Sequence, residues 1–252
     1  MFTLSFVTLS GPPGVALAAS AAAATAPAGA AHTGGHEVDG GGVVLHLVVA
    51  VQAYAALGQL VVHEHPCGHE TAHANQLGIA HVDAPVSGGV VGAEAGTLAI
   101  MAGAEAVTLA RVRPLLGVLG KRIVHIGPPG AGQVAKACNQ MIMVTAIQAC
   151  AEAVRLASAH GVDVAAVRQA LMGGSAGSKV LEVMGAKMVE RDFAAGIEAR
   201  LHHKDFAILM DEAARLGAPL PVAAQVWQQL NALMGAGWGR EDTSSLLRVL
   251  ER

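Results

Sequence analysis

"HIGPPGAGQVAKACNQ", residues 125–140, marks the point where the chain changes architecture. Upstream of it, short apolar runs alternate with stops rich in glycine and proline. Residues 78–82 read as a strand running into Asp83-Ala84-Pro85-Val86-Ser87-Gly88-Gly89, residues 97–101 as a second strand, 105–119 as a helix ended by Gly120, and 121–127 as a third strand. Strands alternating with a helix predict an α/β sheet. Downstream of Pro128-Pro129-Gly130-Ala131-Gly132 the pattern turns helical and stays so. Residues 133–160 contain almost no breaker, and at about 1.5 Å per residue they predict a rod of about 40 Å, long enough to link two lobes. Gly161 stops that helix and Asp163 suits the cap of the next, which runs to about Met172. Further helices are expected over 178–190, 203–216, 221–235 and 241–251, the last capped near Asp242-Thr243. The chain thus divides into residues 1–76, an α/β part at 77–128, and an all-helical domain at 129–252.

Toward the N-terminus this texture is lost. The 252 residues are 53% hydrophobic and only 14% charged, which excludes a disordered chain. A net charge of −3 without any basic stretch excludes a general nucleic-acid surface. Cys67, Cys138 and Cys150 form no disulfide framework, so a reducing compartment, the cytoplasm, is expected. All 16 Lys and Arg lie from Arg111 onward, whereas eight of the 12 histidines lie in residues 1–81. Ordinary sequence is about a quarter charged, so a folded domain rarely avoids Lys and Arg over about a hundred residues. Residues 1–76 are therefore aberrant. Their apolar opening lacks the positive segment of an export signal and is broken by Gly11-Pro12-Pro13-Gly14. The apolar stretch 43–62 contains His46, Gln52 and Gln59 with no flanking Lys or Arg, so no membrane span is expected. A shifted reading frame in a GC-rich gene accounts for these features together. The codons of Val62-His63-Glu64-His65, read one base later, can encode Met-Ser followed by Thr or Ile.

Within this segment "HEHPCGHETAH", residues 63–73, contains the H-E-x-x-H pattern of zinc peptidases as His69-Glu70-Thr71-Ala72-His73. That chemistry needs both histidines one turn apart on a helix, with the glutamate beside a zinc-bound water. Pro66 and Gly68 precede the pattern and no strong apolar repeat runs through it, which argues against a helix. A zinc peptidase using His69, Glu70 and His73 stands as an alternative to the leading reading, which contains no metal. A non-catalytic helical dimerisation module is another.

Three segments place polar groups where an apolar element would not want them. On the long helix Lys136, Asn139 and Gln140 fall at i, i+3 and i+4 and share one face. A lysine flanked by two amides can bind and protonate a carbonyl oxygen; a plain surface lysine is the simpler reading of that segment alone. In Ser87-Gly88-Gly89 the missing side chains let a ligand reach main-chain N–H groups, an anion site suited to a carboxylate, although an ordinary turn has the same composition. Lys204 and Asp205 form a charged pair at a helix start, where the helix dipole by itself favours the aspartate.

Together "DAPVSGG" (83–89), "GAGQVAKACNQ" (130–140), "GGSAGSKVL" (173–181) and "HHKDFAILMDEA" (202–213) follow the order and approximate spacing of the β-hydroxyacid dehydrogenases. That family includes 3-hydroxyisobutyrate dehydrogenase and tartronate semialdehyde reductase (2-hydroxy-3-oxopropionate reductase). Residues 77–252 resemble it, and "GGSAGSKVL" and the "LHHKD" context look most like the tartronate semialdehyde reductase branch. The resemblance implies a Rossmann-type lobe, incomplete at the N-terminus, a long interdomain helix, and an all-α lobe that builds homo-oligomers. It makes Lys136 the catalytic residue. Asn139 orients the substrate with Gln140 beside it, Ser87, Gly88 and Gly89 hold its carboxylate, and Ser175 and Ala176 lie near the same cleft. Lys204 contacts the cofactor, NAD or NADP, with Asp205 beside it. The implied reaction passes a hydride between the nicotinamide and a short 3-hydroxy acid or semialdehyde while Lys136 moves the proton. Partial burial would suit that role, because it lowers the pKa of an ammonium.

The chain also departs from the family, whose members open with a strand and a G-x-G-x-x-G turn that seats the pyrophosphate on a helix N-terminus, and carry a D-M-S-[ST] segment before DAPVSGG. Neither is present. Gly11-Pro12-Pro13-Gly14 has the wrong spacing, and Gly130-Ala131-Gly132 belongs to the interdomain turn. Activity impaired at the cofactor pocket is the resulting expectation.

Overall fold

The computed structural model describes residues 5–8, 17–19 and 80–252. The H-E-x-x-H segment, the Gly11–Gly14 stretch and the apolar residues 43–62 lie outside the described residues. The chain forms two compact units, Met1–Lys136 and Ala137–Arg252.

In the first unit a mixed sheet is built from β1 (Ser5–Thr8), β2 (Leu17–Ala19), β3 (Ala80–Asp83), β4 (Val86–Ser87), β5 (Ala99–Ala104) and β6 (Arg122–Gly127). β3 and β4 both run antiparallel to β5, Val82 opposite Ala104 and Val86 opposite Ile100, so they are one strand interrupted at Ala84-Pro85. Proline gives the ladder no N–H, yet the Pro85 carbonyl still accepts from Met101 N at 2.9 Å. After α1 (Gly89–Glu94) and β5, the helix α2 (Ala106–Leu119) crosses to β6, which pairs with β5 in parallel. This β–α–β unit is the α/β element the sequence predicts. Leu109, Val112, Leu116 and Leu119 of α2 bury against Val82, Ile100 and Ala102 of the sheet. A fully buried leucine such as Leu116 contributes about 1.5–3 kcal/mol. The second strand begins two residues later than its apolar pattern suggests. Thr97 instead donates its N–H to Gly92 O at 2.8 Å, closing the turn after α1.

The long helix α3 (Ala131–Ala159) begins in the first unit and continues into the second. There it is followed by α4 (Val164–Met172), α5 (Lys179–Glu190), α6 (Ala199–Leu216), α7 (Pro221–Gly235), a 3-10 turn at Thr243–Ser245 and α8 (Leu246–Val249). Val144, Ile147 and Ala151 of α3, Met188 of α5, Phe206 of α6, and Leu230 and Leu233 of α7 form its core. α3 is long and apolar enough to cross a membrane by composition, but these residues make it a core helix. The cap expected at Asp163 is in place, accepting from Ala165 N at 2.9 Å, and the structure adds a cap at Ser178, which accepts from Leu181 N at 3.1 Å.

Two helix boundaries differ from expectation. α6 starts at Ala199 rather than 203, because the N–H groups of Ala199 and Arg200 donate to Glu241 O and Gly239 O. Those acceptors lie some forty residues away and leave no local signal. The expected helix over 241–251 is a 3-10 turn and one short helix. Asp242 accepts from Ser244 N, as expected of a cap, but also from Gly196 N at 3.1 Å, which anchors the segment to the loop before α6.

Candidate functional site

In the first unit the site begins with Lys136, in the second turn of α3. It is 3% exposed, and its Nζ donates to Val86 O at 2.9 Å. An ammonium leaves water at a large cost unless it is paired, and here a main-chain oxygen next to Ser87 receives it. The lysine and the Ser87-Gly88-Gly89 turn, fifty residues apart in sequence, are therefore neighbours. Ser87 is half-buried, and Gly88 and Gly89 are exposed. The turn needs these glycines: Gly88 has φ 138° and Gly89 φ 62°, a region that side chains disfavour. A Cβ on Gly88 would also press on Leu98 Cδ2 at 3.1 Å.

The first turn of α3 is held from a distance. Pro128-Pro129-Gly130 offers no side-chain acceptor for its N–H groups, which helix starts leave unpaired. Asp83 supplies one: Oδ1 accepts from Gly130 N at 2.6 Å and Oδ2 from Gln133 N at 3.0 Å. Burial pushes the Asp83 carboxyl above its ordinary pKa, opposed by those two hydrogen bonds and by His81. Gly103 and Gly132 complete the seat, since a Cβ on either would collide with Asp83 and with neighbouring backbone. Sequence reasoning missed this role. The available signal was an aspartate ending an apolar strand, together with a long helix that begins without a local cap.

In the second unit Asn139 Nδ2 donates to Gln140 Oε1 at 3.0 Å, and Gln140 Nε2 donates to Asp205 Oδ2 at 2.8 Å. Gln140 and Asp205 are buried, and Asn139 is half-buried. Lys204 Nζ lies 3.7 Å from Asp205 Oδ1. It is shielded from solvent and has no hydrogen-bond partner among the described residues. Ser175 and Ala176 sit on the exposed loop between α4 and α5. No cluster of His, Cys, Asp and Glu able to hold a metal occurs among the described residues.

Comparison with known proteins extends this picture. Residues 67–127 match the NAD-binding domain of 6-phosphogluconate dehydrogenase, and residues 130–250 match the family described as NAD-binding of NADP-dependent 3-hydroxyisobutyrate dehydrogenase. The first match starts ten residues before the resemblance read from the sequence. It takes in His69-Glu70-Thr71-Ala72-His73, so that stretch falls within a dehydrogenase match, and neither the peptidase nor the dimerisation module gains support. The chain is 43% identical over 177 residues to 2-hydroxy-3-oxopropionate reductase of Escherichia coli (strain K12), covering 70% of this chain and 61% of that protein. It is 38% identical over 154 residues to 3-hydroxyisobutyrate dehydrogenase of Pseudomonas aeruginosa, covering 58% of this chain and 52% of that protein. Among solved structures, a Mycobacterium tuberculosis 3-hydroxyisobutyrate dehydrogenase with L-serine aligns with TM-score 0.67 at 32% identity, over 74% of this chain and 66% of that one. The chain therefore spans about three-fifths of the length of the curated relatives it matches.

Proposed function

The chain belongs, through residues 67–250, to the β-hydroxyacid dehydrogenase family, and on that premise we propose that it transfers a hydride between NAD or NADP and a short 3-hydroxy acid or the corresponding semialdehyde. Tartronate semialdehyde and 3-hydroxyisobutyrate are the substrates to test first, because the relatives carry those names. The supporting observation is the buried Lys136 ammonium, bonded to Val86 O beside the Ser87-Gly88-Gly89 turn.

Bound NAD(P)H supplies the hydride. Lys136 holds a proton at Nζ and delivers it to the oxygen that becomes an alkoxide as the carbonyl is reduced; in the oxidative direction the neutral amine takes the alcohol proton. Ser87, Gly88 and Gly89 bind the carboxylate and set the reacting carbon beside Lys136. Asn139, with Gln140 behind it, orients the substrate, and Ser175 adds a hydroxyl. The Lys204 ammonium, shielded and without an acceptor among the described residues, fits a ligand rich in acceptor oxygens such as a dinucleotide, with Asp205 balancing its charge. The family's G-x-G-x-x-G turn is absent from the sequence, so cofactor affinity is the impaired step.

We further assign residues 77–128 to the nucleotide-binding domain and 129–252 to the helical domain. The protein works in the cytoplasm as a homo-oligomer formed through the helical unit, a reading supported by the exposed Ile142, Leu156 and Val222; light scattering on the purified chain tests it. The test of function is Lys136→Ala assayed with both substrates and both cofactors. General acid–base loss should lower kcat by about a hundredfold to ten-thousandfold, with the thermal melt retained. Turnover unchanged from wild type would reject the assignment.

A further inference from the structure

Three side chains of the second unit are joined head to tail, Asn139 to Gln140 to Asp205. Gln140 and Asp205 are each 7% exposed, so a reversed group would be left without water to replace its partner. A carboxamide carries a donor end and an acceptor end that interchange by a half turn, whereas a carboxylate only accepts. Burial pushes the Asp205 carboxyl up, but surrounding positive charge, that of Lys204 included, and the Gln140 hydrogen bond outweigh it and hold the group below the ordinary aspartate value. At neutral pH it is an acceptor. Asp205 is thus the one end of the row that cannot be reversed. It obliges Gln140 to turn its NH2 toward position 205. The Gln140 carbonyl is left facing Asn139, which must commit an N–H to it. The carbonyl oxygen of Asn139 is then the end held away from the row.

Resting on the dehydrogenase reading, in which Asn139 orients the substrate, we propose that Asp205, acting through Gln140, is a positioning residue that fixes the amide polarity of Asn139, so that Asn139 meets its ligand with an acceptor oxygen. The ligand class this selects is an acid carrying a hydroxyl donor, in preference to the same acid without it. Asp205 touches no substrate in this account; it determines which end of another side chain does.

The row can be broken and rebuilt. Asp205→Asn replaces the acceptor-only end with a reversible amide, so the polarity at Asn139 is no longer fixed. Gln140→Glu added to Asp205→Asn restores it. The introduced amide at 205 donates to the introduced carboxylate at 140, whose other oxygen accepts from Asn139. Two measurements follow this on the whole chain: the nitrogen–proton NMR signals of the Asn139 and Gln140 side-chain amides, and the ratio of Kd values for 3-hydroxypropionate and propionate by calorimetry. In wild type, one side-chain proton of Asn139 should be protected from solvent exchange. The single variant should shift or broaden the Asn139 pair and lower the preference for the hydroxy acid about tenfold, the loss expected for one hydrogen bond. The double variant should recover both. An Asn139 amide with two equally unprotected protons in wild type, one unaltered by Asp205→Asn, or a double variant no better than the single, would overturn the proposal. The wild-type exchange measurement decides even if a variant does not fold. Absent NAD(P)H oxidation with a protected Asn139 proton would count against the dehydrogenase reading and leave the fixed polarity standing.

Discussion

Asp83 shows how much one buried carboxyl group can organise. It ends β3, caps α3 fifty residues downstream and, through that cap, fixes the turn that carries Lys136. Because burial raises its pKa above the 3.8 of an unconstrained aspartate, the folded chain binds the proton more tightly than the unfolded one. The stability linked to Asp83 is therefore complete below about pH 3.8 and is lost as pH rises through the raised value. Asp83→Asn should flatten this fall, measured by urea unfolding between about pH 4 and 7, while costing about 1 kcal/mol for the one N–H it no longer accepts. A slope equal to wild type would contradict the assignment. At Lys136, arginine is not a rescue, since a guanidinium cannot release a proton at working pH. Lys136→Arg should turn over as slowly as Lys136→Ala in the same assay.

At the scale of elements, α3 is set by close backbone approach at its start and apolar burial along its length. Gly132 lies in its first turn, where alanine would add about 1 kcal/mol of helix propensity. A Cβ there collides with Met101 O and the Asp83 carboxylate, and overpacking of that kind costs about 1–3 kcal/mol. The clash wins: Gly132→Ala should lower the melting temperature and reduce turnover, because the same turn positions Lys136. A more stable variant would show that the seat around Asp83 is loose. The C-terminal 3-10 turn depends similarly on Asp242, fully buried, which accepts from Ser244 N and Gly196 N and lies 3.6 Å from Lys187 Nζ. Asp242→Ala should cost about 2 kcal/mol in denaturant unfolding, as expected when a cap and a buried acceptor are lost together.

For the whole molecule, the decisive contrast is between residues 67–250, which the two family matches cover, and residues 1–66, which lie outside those matches. Replacing residues 1–66 with a strand, G-x-G-x-x-G turn and helix should tighten NADH binding at least tenfold, about 1.4 kcal/mol and within the range of one charge-assisted hydrogen bond; fluorescence titration reads it, and equal affinity would show that the native segment already serves. By itself the sequence determined the β–α–β unit, the long helix and the cap at Asp163. Each is written in local periodicity, local breakers or a contiguous motif. Tertiary structure alone decided that Lys136 bonds to Val86 O, that Asp83 caps a helix fifty residues away, that α6 starts on the backbone of residues 239 and 241, and that Gln140 donates to Asp205. In all four a donor finds its acceptor across a long stretch of chain, and local propensity carries no record of a partner that only folding brings near.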